Sequence, residues 1–286
     1  MYIFLIKLFI NFFNILPESL ALKIGRGLGL FWFYIIRFRR KLVIANLKKS
    51  FKEEKNENEI YKVAKDNFVH YGTCMAEFLR LPKESKEKLK DKIKVKNLDN
   101  AKKALLKGKG LMVLVGHYGN WDYLSTGQAL YNVGAHIITR QATNKTVNLY
   151  WQKIREDKGV KFLPDSNSIF SILRLLKKNE VIGIAFDQHV GGHQGIKTKF
   201  FGLPCYTMRA PTLIAMKTGT PIVIAYNYRD ENYCHQIEVS EEIPLDILDD
   251  PEETIRTNTQ KYNDLIEAFI RKHPSQWTWI HHRWKP

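Results

Sequence analysis

The chain is short of acid. Its 286 residues carry 29 Asp and Glu against 45 Lys and Arg, a formal charge of +16. Such a surplus calls for an anionic partner, whether nucleic acid, a phosphorylated metabolite or an anionic membrane surface. Cysteine is scarcer still. Cys74, Cys205 and Cys234 are odd in number and widely spaced, which excludes a disulfide framework and a C-x-x-C metal site. There is no G-x-S-x-G elbow: Ser125 precedes Thr126-Gly127 without the leading glycine, and Cys205 has no neighbouring base. A serine or cysteine nucleophile therefore has no visible seat. No Pro-, Gly- or Ser-rich linker divides the chain, and no internal repeat is present. With 44% hydrophobic residues it is too apolar to be disordered, and its length allows a sizeable core.

Long hydrophobic runs are also missing. Met1 to Leu16 is apolar except for Lys7, Asn11 and Asn14, and Pro17 closes it. As a helix it would span about 24 Å, short of the roughly 30 Å hydrocarbon core of a bilayer. A second run, Gly27 to Ile36, follows Lys23 and Arg26. Neither is a clean spanning segment. The weak basic start and the lack of a small-x-small site after Leu16 argue against a secretory signal. Arg37, Arg39, Arg40 and Lys41 come directly after the aromatic second run, a pattern suited to a headgroup boundary. The expectation is a membrane-associated helical segment over residues 1–41, with the basic cluster and everything after it on the cytoplasmic side. The alternative is a buried helix pair of a soluble protein.

What is present beyond residue 41 is ordered by period. Ile60, Val63, Ala64, Phe68, Tyr71, Met75 and Phe78 recur at helical spacing. From Lys83 to Lys109 there are eleven lysines against four acids, by itself an ordinary solvated face. Then short apolar strands alternate with helices. Strands are predicted at Leu111–Val115, Ala135–Thr139, Val181–Phe186, Pro221–Tyr228 and His235–Val239. Helices are predicted at Trp121–Tyr131, Lys145–Glu156, Ser168–Lys177, Thr207–Lys217 and Thr254–Lys272. This alternation predicts an α/β fold over residues 42–286, with a mostly parallel central sheet flanked by helices. Ten acids fall between Asp230 and Glu253, so the basic surface belongs mainly to the first half.

The chemistry-bearing stretch is LMVLVGHYGNWDYLS. A strand ends at Gly116 and His117 follows at once, and functional groups of open α/β sheets gather at the carboxyl ends of strands. Asp122 lies five residues on. On a continuous helix that spacing turns about 500° and separates the two side chains. If His117 sits in a turn and a helix begins near Asn120, with Gly119 permitting the bend, Asp122 can point back and accept the imidazole N–H. The H-x4-D spacing alone is weakly specific, and a structural histidine is the competing reading. A base without a protein nucleophile suggests that the substrate supplies the attacking group, for instance a hydroxyl.

GHYGNWDYLS, Arg140, VIGIAFDQHVGGHQGIKTKFFGLPCYT and QWTWIHHRWKP, together with the N-terminal LPESLALKIGRGLGLFWFYIIRFRRKLVIANLKKSF, resemble the bacterial lipid A late acyltransferase family. The resemblance covers nearly the whole chain, in the family's order, and is shared with phosphatidylinositol mannoside acyltransferases. It implies a membrane-associated O-acyltransferase at the cytoplasmic face of the bacterial inner membrane, moving a fatty acyl chain from acyl carrier protein thioester to a hydroxyl of a lipid A precursor. The implied partners are acyl carrier protein, a phosphorylated glycolipid acceptor and an anionic membrane; nucleic acid, metal and cofactor are not required. His117 would deprotonate the acceptor hydroxyl and Asp122 would stabilise the imidazolium. Oxyanion donors would be the backbone N–H groups near Gly119 and Asn120, or Arg140. Asp187 and Gln188 match the family's D-Q pair, where His189 replaces a common third acid.

Each further site residue keeps two readings. Arg140 binds phosphate or oxyanion, or makes a surface salt bridge. Asp187 and Gln188 do polar work at the site or cap a turn. Lys197 and Lys199 meet sugar phosphates while Phe200 and Phe201 line the acyl chain, or the four form an amphipathic strand over a core. Arg283, Trp277, Trp279 and Trp284 form an interfacial belt or a closing core segment. His189 and His193 have H-x3-H spacing, but Gly191 and Gly192 between them argue against a helix and hence against zinc. A glycerophospholipid acyltransferase would also carry H-x4-D, yet its F-P-E-G-T-R-like motif is replaced here by AFDQHVGG. A nucleic-acid-binding protein finds no finger, RNP or basic-helix pattern. A non-catalytic membrane scaffold is the remaining alternative.

Overall fold

The computed structural model describes residues 2–139, 145–164 and 168–285. Helices α1 (Tyr2–Ile15) and α2 (Glu18–Phe31) are separated at Pro17, which has no N–H to continue the ladder. A π-helical turn at Trp32–Ile36 prolongs α2, so that Glu18–Ile36 is a 19-residue helix, long and apolar enough to cross a membrane by length and composition. The sequence pattern breaks this stretch at Lys23 and Arg26. Both side chains are exposed, so the helix passes through them without burying a charge. Next come α3 (Arg40–Ser50) and α4 (Glu57–Arg80). A capping box opens α4: Asn56 Oδ1 accepts from the Glu59 N–H, and Glu59 Oε2 from the Asn56 N–H.

Where α2 crosses α4 the two main chains touch. A Cβ at Gly72 would lie 2.1 Å from the Gly25 carbonyl oxygen, and one at Gly29 would lie 2.3 Å from the Phe68 carbonyl oxygen. Only hydrogen fits at these positions. The outward side of α1 and α2 remains bare, with Phe4, Phe9, Phe12, Leu28, Phe31 and Ile35 all exposed.

The remainder alternates. In chain order it contains α5 (Lys86–Lys92), β1 (Ile93–Lys96), α6 (Leu98–Leu105), β2 (Leu111–Val115), α7 (Trp121–Leu130), β3 (His136–Thr139), α8 (Lys145–Glu156), β4 (Lys161–Pro164), α9 (Ser168–Lys177), β5 (Val181–Ala185), β6 (Gly195–Phe200), β7 (Leu203–Met208), α10 (Ala210–Thr218), β8 (Ile222–Arg229), β9 (His235–Val239) and α11 (Pro251–Lys272). A seven-stranded sheet runs β1-β9-β8-β2-β5-β3-β4. All its described neighbours are parallel except β8 and β9. The expected α/β fold with a mostly parallel sheet is present. β6 and β7 form a separate antiparallel hairpin.

Two sequence expectations need correction. The helix predicted from Thr207 begins only at Ala210, because residues 203–208 belong to β7. There the Thr207 hydroxyl pairs with that of Thr198 across the hairpin at 2.9 Å, and Pro211 suits a helix's first turn. Strands β1 and β4, IKVK and KFLP, are too short and too lysine-rich to stand out by pattern.

The alternation of side chains along the strands divides the sheet into two faces. Met112, Leu114, Ile182, Ile184, Ile222 and Ile224 join α9, α10 and α11 in the largest core cluster. The other face carries the intervening residues and is covered by α6, α7 and α8. Gly72→Val is expected to destabilise the protein by about 1–3 kcal/mol, as overpacking does. Denaturant unfolding measures this, with Gly27→Val, where a Cβ would meet no atom within 4 Å, as the near-neutral control.

Candidate active site

Strands β2 and β5 pair in register, Val115 opposite Ala185. Two residues past that last rung the chains meet again through side chains. The His117 N–H donates to Asp187 Oδ2 at 2.7 Å, and His117 Nδ1 lies 2.7 Å from Asp187 Oδ1. Trp277 Nε1–H donates to Asp187 Oδ2, also at 2.7 Å. Asp187 is fully buried. Burial pushes its carboxyl up, but His117, Trp277 and the His117 N–H more than reverse this and hold it below the ordinary carboxylate range. For His117, burial pushes the imidazole down and the Asp187 carboxylate more than restores it, leaving it above the ordinary 6.5. An ionised Asp187 makes Nδ1–H the donor, so the neutral ring carries its lone pair on Nε2. The ring remains 31% exposed and lines a cavity.

The turn bearing His117 is held from several sides. Thr278 donates to the His117 carbonyl through its N–H at 3.0 Å and its hydroxyl at 2.8 Å. Gly119 has φ +61, and a Cβ there would meet the Asn227 carbonyl oxygen at 2.2 Å, so the bend requires glycine. Its N–H donates to the Gln276 carbonyl at 3.0 Å, which removes it from the expected oxyanion donors. Asn120 has no exposure. Its Oδ1 caps α7 by accepting from the N–H groups of Asp122 and Tyr123. It is therefore a buried helix cap where a substrate contact was expected.

Asp122 does not supply the imidazole's hydrogen-bond partner. Its carboxylate accepts from Arg155 Nε on α8 at 2.5 Å, tying α7 to α8, while the position at Nδ1 belongs to Asp187. Within α7 the Asp122 side chain projects toward the neighbouring helix, and the strand neighbour is nearer to the ring than the sequence neighbour.

A cavity of about 570 Å³ lies between α6, α7, α8 and the sheet. The sheet side is floored by Val113, Val115, Gly183, Ala185, Ala225 and Ile237, with Trp121, Tyr131 and Phe162 among its walls. Small residues at 183, 185 and 225 leave the space open. The few polar groups include Ser125, Gln128, Asn148 and Arg155, and His117, Gln188 and His189 meet the cavity at the carboxyl end of the sheet.

The other expected site residues are distributed differently. Arg140 lies outside the described residues. Phe200 and Phe201 are buried in the core with Trp277 and Trp279 and do not line the cavity. Lys197 and Lys199 are exposed on β6, and neither lines it. Arg283 is fully buried, donating to the Tyr206 carbonyl at 2.6 Å and to Thr207 Oγ1 at 2.5 Å. It clamps the β6–β7 hairpin, and substrate contact is not its described role. Of the closing tryptophans, Trp277 and Trp279 are core and Trp284 packs against it. Among the described residues no cluster of three His, Cys, Asp or Glu side chains is placed to hold a metal. Sequence reasoning missed Arg155 and Trp277 as partners of the site. Arg155 arrives on α8 and Trp277 on the C-terminal segment, so only tertiary packing reveals them.

The whole chain, residues 1–286, matches the family model described as bacterial lipid A biosynthesis acyltransferase. It is 25% identical over 230 residues to a phosphatidylinositol mannoside acyltransferase of Mycobacterium tuberculosis, covering 75% of this chain and 67% of that one. It is 22% identical over 273 residues to the lipid A biosynthesis palmitoleoyltransferase of Escherichia coli, covering 94% and 86%. For the lipid A biosynthesis lauroyltransferase of the same organism the identity is 21% over 274 residues, covering 94% and 87%.

The His117–Asp187 pair has a signature independent of any substrate. A raised folded-state value means its stabilisation is complete below the ordinary imidazole value of 6.5 and fades as pH rises through the raised one. In an NMR titration His117 is expected to titrate above 6.5, and Asp187→Asn to bring it down. Titration at the same pH in both proteins would show that the carboxylate does not govern the ring.

Proposed function

The chain belongs to the bacterial lipid A biosynthesis acyltransferase family and is an acyltransferase, and from that premise we propose that it moves a fatty acyl chain from acyl carrier protein thioester to a hydroxyl of a lipid A precursor. The observation carrying this reading is the pairing of His117 with the buried Asp187 at one end of a largely apolar cavity, with no serine or cysteine hydrogen-bonded to the ring among the described residues. His117 Nε2 takes the proton of the acceptor hydroxyl, and Asp187 stabilises the imidazolium. The freed oxygen attacks the thioester carbonyl carbon, and the negative charge passes to the carbonyl oxygen. We assign the Gln188 amide, on the cavity wall with His117, to that oxyanion. Collapse re-forms the carbonyl and breaks the carbon–sulfur bond. The imidazolium returns its proton to the departing thiolate, so no acyl-enzyme forms. Asp122 contributes through Arg155, by fixing α7 against α8.

The cavity suits the acyl chain, since its floor and walls are largely apolar and His117 stands at its carboxyl end with Gln188 and His189. Residues 1–41 form the membrane-associating segment. The bare faces of α1 and α2, ending at Arg37, Arg39, Arg40 and Lys41, support attachment to the anionic cytoplasmic leaflet of a bacterial inner membrane. The surplus of +16 favours an acidic carrier protein as donor and a phosphorylated acceptor. The similarity to a phosphatidylinositol mannoside acyltransferase supports a second reading in which the acceptor is another membrane glycolipid.

Membranes containing the protein, given acyl carrier protein thioester and a phosphorylated lipid A precursor, are expected to yield an acylated product by mass spectrometry. His117→Ala is expected to lower kcat by about 10²- to 10⁴-fold; an unchanged rate would refute the assignment. Because His117 must be neutral to act, kcat/KM is expected to fall as pH drops through its raised value. Gly183→Leu is expected to shift preference toward shorter acyl chains. A Cβ there meets no atom nearer than 3.7 Å, so the longer side chain occupies the cavity without straining the strand. Each excluded methylene loses about 0.8 kcal/mol, roughly fourfold in binding. Product chain lengths measured over a series of thioesters decide it.

A further inference from the structure

Helix α4 carries a carboxylate that the reaction does not touch. Glu77 is buried on the sheet side of the helix, and both of its oxygens are fully used. Oε2 accepts from Asn120 Nδ2 at 2.7 Å and from Arg229 Nη2. Oε1 accepts from Arg229 Nε and from His235 Nε2, each at 3.0 Å. Burial raises the carboxyl, but Arg229 and His235 overcome this and hold Glu77 far below the ordinary range, so it is ionised. The contacts also fix the tautomer of His70. Its Nε2–H donates to the Gly119 carbonyl at 3.1 Å, while Nδ1 accepts from Arg229 Nη1 at 3.0 Å. Burial and then Arg229 keep this ring neutral by lowering it to about 3.

The far end of the network is the catalytic turn. Asn120 is held at three points: its Nδ2 by Glu77, its Oδ1 by the first N–H groups of α7, and its carbonyl by Asn227 Nδ2 at 2.7 Å. A buried ion pair contributes little net stability, because desolvating both charges offsets most of their attraction. Its value is geometric when something else is aligned by it. Here that something is the stretch from His117 to Asp122, which leaves β2 and starts α7.

We propose that Glu77 is a positioning residue for the acyl transfer: through Asn120 it holds the His117 turn level with Asp187, keeping the imidazole aimed into the cavity. This rests on the assignment of His117 as the general base. Asn120→Asp keeps a good helix cap but sets a second carboxylate against Glu77. Glu77→Gln in the same chain gives that carboxylate an amide donor again and leaves the net charge of the network unchanged. The two single variants and the double variant are compared with the unaltered protein in kcat, KM and the pH profile of kcat/KM, per folded molecule as judged by thermal unfolding. The NMR signal of the imidazole proton shared by His117 and Asp187 is followed alongside.

Each single variant is expected to lose about 10²-fold in kcat, the scale of a 1 Å misplacement. KM is expected to stay close to its original value, with the shared-proton signal shifted or broadened. The double variant is expected to recover most of both. Unchanged kcat in both single variants, or a double variant no better than the poorer single one, would overturn the proposal. So would an acid limb displaced in Glu77→Gln, which would make Glu77 part of the proton inventory. If the unaltered protein transfers no acyl chain, the functional assignment fails. The shared-proton signal then still decides whether Glu77 positions the turn.

Discussion

The pairing of β2 with β5 brings Val115 level with Ala185, and two residues beyond that rung the His117 imidazole meets the Asp187 carboxylate at 2.7 Å. Most of what surrounds this contact serves it. A fully buried carboxylate needs hydrogen-bond donors on both oxygens, and here His117 Nδ1–H serves Oδ1 while the His117 N–H and Trp277 Nε1–H serve Oδ2. Trp277 in turn requires the C-terminal segment to cross the carboxyl ends of the central strands, where Thr278 and Gln276 also hold the carbonyl of His117 and the N–H of Gly119. The tail of the chain is thus part of the wall behind the His117 ring.

Strand β8 shows how one sheet face serves two purposes. Its residues on that face run Val223, Ala225, Asn227, Arg229. Ala225 floors the cavity, and the next two positions enter the polar network with Asn120 and Glu77. Within four residues the surface passes from space left for an apolar chain to a closely hydrogen-bonded block. The opposite face of the same strand presents Ile222 and Ile224 to the main core, and Tyr226 stacks on Phe269 of α11.

The strand–helix alternation was legible because Leu111–Val115, Lys145–Glu156, Ser168–Lys177 and His235–Val239 carry their own periodicity, and these four coincide with β2, α8, α9 and β9. The position of His117 after a buried strand was legible for the same reason. Its partner was not. Asp122 stands five residues away in sequence, whereas Asp187 stands seventy away and becomes adjacent only through sheet order, which no local pattern encodes. Phe200 and Phe201 misled in the opposite direction: aromatic residues beside lysines fit a ligand groove and a core hairpin equally well, and only the tryptophans packed on them distinguish the two. Glu77 was hidden inside a helix whose apolar spacing explains it without calling for chemistry.

The glycine crossing between α2 and α4 bears on how this protein can be handled. An anchor joined by a flexible linker can be cut away and replaced by any other hydrophobic helix. Here the groove on α4 at Gly72 is shaped by the main chain of α2 itself, and α4 is the same helix that carries His70 and Glu77 to the His117–Asn120 turn. Trimming the first 36 residues would take away the main chain of α2 and leave that groove open to water. The exposed phenylalanines and leucines on the outward faces of α1 and α2 can be exchanged with less disturbance, provided the glycines stay in place.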